Sequence, residues 1–96
     1  MFLLILTYQK ELNEVDKYLN AHKKYLEKFY NTGNFIASGR QNPRIGGIIL
    51  CKATNKHDVE NIISQDPFFT HQIAEYKIIE FEVSKCIQKF SSILQN

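Results

Sequence analysis

The chain has no tryptophan, one methionine, two prolines, four glycines and two cysteines in 96 residues. The four glycines are not spaced as a glycine-rich phosphate loop, and no such motif occurs. Cys51 and Cys86 show neither CxxC spacing nor a histidine at zinc-like intervals, which excludes a disulfide scaffold and a zinc finger. Cys51 falls inside an apolar run and reads as a small hydrophobe in a strand. That cysteine usage suits a reducing compartment, so the expected location is cytoplasmic. One-signed charge is also missing. Lys+Arg 12 against Asp+Glu 10 gives +2 with no segment dominated by either sign. Nucleic acid and anionic membrane are therefore not expected as partners. The apolar opening, residues 2–8, is far shorter than the ~20 residues that span a bilayer. It also lacks the basic start and small-residue cleavage site of a secretory signal.

What is present is ordinary globular material, 44% hydrophobic, without repeat, linker or low-complexity stretch. The expected organisation is one domain over 1–96, with a core in 1–83 and a tail in 84–96. Phe-Leu-Leu-Ile-Leu-Thr-Tyr (2–8) reads as a covered strand. From Asn13, taken as an N-cap, Val15, Tyr18, Leu19, His22, Tyr25, Leu26, Phe29 and Tyr30 recur at helical spacing, and Gly33 supplies the stop. Strands are expected at 35–38 and 45–52, joined by a loop that contains Pro43. The Gly46-Gly47 pair suggests a bulge or a close backbone approach. Asn55 caps a second helix through Gln65. Asp66-Pro67 then opens a short turn, with Asp as N-cap and Pro at the first position. A last strand is expected over 75–83. Ile87, Phe90 and Leu94 suggest a short helix in the tail.

This order is βαββαβ: an α+β, ferredoxin-like sandwich with a four-stranded antiparallel sheet and both helices on one face. The other face carries apolar residues and needs a cover. A chain this short buries only about two-thirds of its unfolded surface, and a second copy packed sheet to sheet is the simplest remedy.

His22 leads the candidates for chemistry. It lies on the apolar face of the first helix, where a buried structural histidine and a half-buried general acid or base remain alternatives. An imidazole's ordinary pKa, near ~6.5, suits proton transfer. Asp66 is an N-cap on one reading and the partner that orients His22 on the other. Ser38, Gly39, Arg40 and Arg44 surround the connection between the second and third strands. Arg44 offers a bidentate grip on a carboxylate or phenolate, and a solvated loop arginine is its alternative. His57 and His71 sit in polar surroundings and read as surface residues. No catalytic-serine elbow, HExxH or paired-carboxylate pattern is present.

The strings YLNAHKKYLEKFYNTGNFIASGRQNPRIGGIIL and DVENIISQDPFFTHQIAEYKIIEF closely resemble the YciI-like (YCII-related) domain family. The resemblance runs from the first strand to about Phe81. It rests on the helix histidine, Ser-Gly before the loop, Pro-Arg-x-Gly-Gly entering the third strand, and Asp-Pro-Phe after the second helix. It implies a homodimeric α/β barrel with one pocket per protomer, a His–Asp pair falling on His22 and Asp66, and Ser38 lining the pocket. Gly39, Arg44, Gly46 and Phe68 complete the expected substrate-binding set. A dehydrochlorinase-type activity on a chlorinated hydroxyquinol is represented in the family.

The expected function is thus a cofactor-independent lyase or isomerase acting on a small oxygenated cyclic or aromatic compound, with no metal. The alternative is a non-catalytic ligand-binding or interaction module. Stability separates them: removing a structural pair costs about 1–3 kcal/mol, whereas a catalytic pair costs little.

Overall fold

The structure, a computed structural model, describes residues 1–95. Its elements are β1 (Phe2–Tyr8), α1 (Leu12–Asn31), β2 (Phe35–Arg40), β3 (Gly46–Cys51), α2 (Lys56–Ile63), α3 (Pro67–Thr70), β4 (Ala74–Glu80) and α4 (Gln88–Leu94). The strands form one sheet in the order β2-β3-β1-β4, and every neighbouring pair is antiparallel. This is the ferredoxin-like arrangement expected from the element order.

Strand register sorts the side chains into two faces. Phe2, Leu4 and Leu6 pair with Cys51, Ile49 and Gly47 and point toward the helices. There they meet Val15, Tyr25 and Phe29 of α1, Val59, Ile62 and Ile63 of α2, and Phe68 of α3 in one buried cluster. Leu3 and Ile5, paired with Leu50 and Ile48, share the reverse face, which is only half-buried. Ile79, opposite Leu3, is 37% exposed on that face.

Several boundaries differ from the sequence expectation. α1 starts at Leu12, because the Glu11 carbonyl accepts from the N–H groups of both Glu14 and Val15. Asn13 is therefore inside the first turn, and its side chain accepts from the Glu14 N–H. Gly33 does end the helix, at φ +84. α2 stops at Ile63, since Gln65 and Asp66 close tight turns onto the carbonyls of Ile62 and Ile63. β2 runs on to Arg40, where it still pairs with Gly47. β4 ends at Glu80, short of Val83. Its partner β1 begins at Phe2, and the last bond goes from the Phe81 N–H to the Met1 carbonyl. In the tail, α4 is held where the Lys52 ammonium donates to the Ile93 carbonyl at 2.6 Å, while Ile87 is 74% exposed.

Of the two readings of Gly46-Gly47, the structure selects close approach. A Cβ on Gly46 would lie 1.8 Å from the Leu6 carbonyl oxygen, whereas one on Gly39 would meet nothing within 4 Å. The bulge lies in β2 instead, between Phe35 and Ala37. Gly46→Ala is expected to lower stability by about 1–3 kcal/mol through overpacking against backbone. Gly39→Ala is expected to stay within ~0.5 kcal/mol. Urea unfolding of the two variants measures the difference.

Candidate active site

The turn that follows α2 sets the site. Asp66 has extended backbone (φ -80, ψ 124) and caps α3, with Pro67 behind it fixing the first helical position. Its Oδ1 accepts from the Phe68 N–H at 2.9 Å, which is the cap bond the sequence suggested. The same oxygen also accepts from Nδ1 of His22 at 2.8 Å, across 44 positions of sequence. Oδ2 accepts from the Tyr76 hydroxyl, which reaches up from β4. Asp66 is thereby sealed, with no exposed surface and three donors on its carboxylate.

His22 stands between this carboxylate and a pocket. Its ring lies parallel to that of Phe68, with centroids 4.0 Å apart and planes 6° from parallel. Phe68 is held in turn by an edge contact from Tyr8. With Nδ1 committed to Asp66, the donor on that bond is Nδ1–H, and Nε2 carries the free lone pair of the neutral ring. Nε2 has no hydrogen-bond partner among the described residues, yet it is not sealed from solvent.

The pocket, of about 270 Å³, opens between α1 and the β2–β3–β1 part of the sheet. His22, Ser38, Gly39, Arg44, Gly46 and Phe68 all line it, together with Leu6, Tyr8, Leu19 and Leu26. Asp66 does not line it and acts from behind the imidazole. Ser38 shares a 2.6 Å hydrogen bond with the Tyr30 hydroxyl on α1. Arg44 donates to Asp16 at 2.6 Å and lies over the Tyr8 ring, so much of its charge is already answered. His57 and His71 are exposed, as expected, and His71 stacks on Tyr18. Among the described residues no three of His, Cys, Asp and Glu are grouped so as to hold a metal ion. No helix there is long and apolar enough to cross a membrane.

The model of the YCII-related domain matches residues 1–82. The chain belongs to that family. Among solved structures, the YCII-related chain is similar to 5-chloro-2-hydroxyhydroquinone dehydrochlorinase (TftG) from Burkholderia phenoliruptrix AC1100, in complex with 2,5-dihydroxybenzoquinone. The two share 17% identity and a TM-score of 0.68 over 85% of this chain and 94% of the other, which shows a common fold. No curated protein sequence matches.

Neither Tyr76 nor Lys23 of this YCII-related domain was among the candidates, and Arg40 was named at the strand connection without being placed in the substrate-binding set. Nothing in the sequence marks Tyr76, because its alternation with Ile78 gives only the face, not the partner of its hydroxyl. Lys23 and Arg40 also line the pocket. Lys23 follows His22 and sits just off the apolar stripe. Arg40 lies two residues after Ser38 on the same face of β2, which strand alternation reveals once the strand is extended that far.

Burial, then the Asp66 charge, pushes the Tyr76 phenol well above its ordinary range. Burial does the same to Tyr25, and it raises the Cys51 thiol from 9.0 to about 11. All three are neutral when protonated, and each is raised in the fold. Their contribution to stability is therefore full below about pH 9 and is lost as pH rises through the folded values. The urea midpoint is expected to fall as pH rises from about 9 to about 11, and a flat profile would contradict these burials.

Proposed function

We propose that this YCII-related domain is a cofactor-independent enzyme of lyase or isomerase type that moves a proton on a small oxygenated cyclic or aromatic compound. One observation carries the reading: a histidine on a pocket wall whose Nδ1 is tied to a sealed carboxylate at 2.8 Å while Nε2 has no hydrogen-bond partner among the described residues. Nε2 takes a proton from an O–H or activated C–H of the bound ring, and Asp66 stabilises the imidazolium that results. In an elimination, the released electron pair moves through the ring and departs with a leaving group such as chloride. In an isomerisation, the imidazolium returns its proton at a second carbon. Phe68 holds the imidazole plane. Ser38 and the cationic groups around it receive the substrate oxygen.

The dehydrochlorinase of the same fold, solved with a dihydroxylated quinone, lends support as a protein that handles ring compounds of a size suited to this pocket. A second copy packed on the half-buried sheet face belongs to the same proposal, since Leu3, Ile5, Ile48 and Leu50 otherwise border water. Two free cysteines, one of them exposed, fit a reducing, cytoplasmic setting.

The test is chloride release from 5-chloro-2-hydroxyhydroquinone, run beside a panel of non-chlorinated cyclic ketones and quinols. Saturable turnover that disappears in His22→Gln supports the enzyme. Turnover that survives in His22→Gln sinks it. Saturable binding without turnover of any compound favours the non-catalytic module, a reading for which the fully satisfied Asp66 carboxylate speaks.

A further inference from the structure

The pocket wall contains three cationic side chains, Lys23, Arg40 and Arg44, and no carboxylate. Arg44 is paired with Asp16. The Lys23 and Arg40 side chains have no hydrogen bond, ion pair or ring contact with any described residue. Asp66, behind the wall, is sealed and already accepts three hydrogen bonds. Two unpaired cations of one sign, from α1 and β2, thus face a small and mostly apolar cavity.

Their positions follow from the secondary structure. Arg40 pairs with Gly47, which pairs with Leu6, so its side chain leaves the sheet toward α1 over a residue with no side chain to fill the space. Ser38, two residues earlier, shares that face. Lys23 adjoins His22 on the helix opposite. The proton-accepting ring nitrogen, a hydroxyl and two uncompensated positive charges therefore converge on one cavity. We infer that this pocket selects an anionic single-ring compound, a ring acid whose carboxylate or phenolate oxygen is held by Lys23 and Arg40 while the ring lies against His22 and Phe68. This rests on the proton-transfer reading of the same pocket and adds the substrate's charge to it. The cations also answer the negative charge that grows on the ring when His22 removes a proton.

Two probes of equal shape and different charge test it: 2,5-dihydroxybenzoate and 2,5-dihydroxybenzamide, titrated into labelled protein at neutral pH and low salt and followed by NMR. The acid is expected to bind about tenfold tighter or better, and added salt should erode that advantage. In the double variant Lys23→Gln/Arg40→Gln, both sites being exposed, the advantage should vanish while amide binding persists. Equal affinities in the parent, or an advantage that survives in the double variant, overturns the inference and leaves the proton-transfer reading standing. If neither probe perturbs His22 or Phe68, the pocket itself is misassigned, and both readings fall.

Discussion

Replacing Asp66 with alanine is expected to lower stability by about 3–5 kcal/mol, a large part of the ~5–15 kcal/mol typical of a domain. The change strands three donors at once: the Phe68 N–H, the His22 Nδ1–H and the Tyr76 hydroxyl. Each unsatisfied donor costs about 1–3 kcal/mol, and the N-cap of α3 is lost with them. Asp66→Asn should be far milder, at about 1–2 kcal/mol. The amide oxygen keeps the two donors on Oδ1, and its NH2 donates to the Tyr76 oxygen. The phenol proton then turns elsewhere. Tyr25 offers a taker, since its buried hydroxyl has no hydrogen-bond partner among the described residues. Urea unfolding of the two variants decides the matter, and an Asp66→Ala protein as stable as the parent would contradict this network.

His22→Gln is expected to act in the opposite manner, cutting turnover about 10²–10⁴-fold with a stability change under ~1 kcal/mol. The imidazole makes one hydrogen bond and stacks on Phe68, and glutamine retains a polar atom near Asp66 and much of the volume. What it lacks is a group that takes up and returns a proton. Asp66→Asn should also lose turnover while folding, because a neutral amide orients the ring but does not stabilise its cation. The contrast between stability and pair removal that the sequence suggested therefore works only on the His22 side. Asp66 is at once cap, acceptor for Tyr76 and partner of His22, so its loss is destabilising whether or not the site is catalytic.

Much of this was legible in the chain because it rests on short-range rules. The helical spacing through Val15, His22, Tyr25 and Phe29 placed His22 inward. Asp66-Pro67 carried its own cap chemistry, which holds wherever the turn lies. The order of elements fixed the sheet, and with it the row that sets Ser38 over the pocket. Long-range facts were out of reach. Nothing local states that the Asp66 carboxylate meets Nδ1 of His22, or that Tyr76 spends its hydroxyl on that carboxylate rather than on solvent. Gly46 was ambiguous for the same reason, since the Leu6 carbonyl that excludes a side chain belongs to another strand. Strand ends were misjudged where pairing stopped: the apolar pattern of β4 continues to Val83, but its last bond to the β1 side runs from the Phe81 N–H to the Met1 carbonyl.

The most direct test of His22 as a base that presents Nε2 to the pocket is nitrogen-15 NMR of its neutral ring. The expected spectrum has the proton on Nδ1, strongly deshielded by the Asp66 carboxylate, and a bare Nε2 that shifts when 2,5-dihydroxybenzoate is added. Asp66→Asn should weaken the deshielding without moving the proton. A proton found on Nε2 would mean that the ring turns a donor toward the pocket, and His22 could not then begin the reaction as its base.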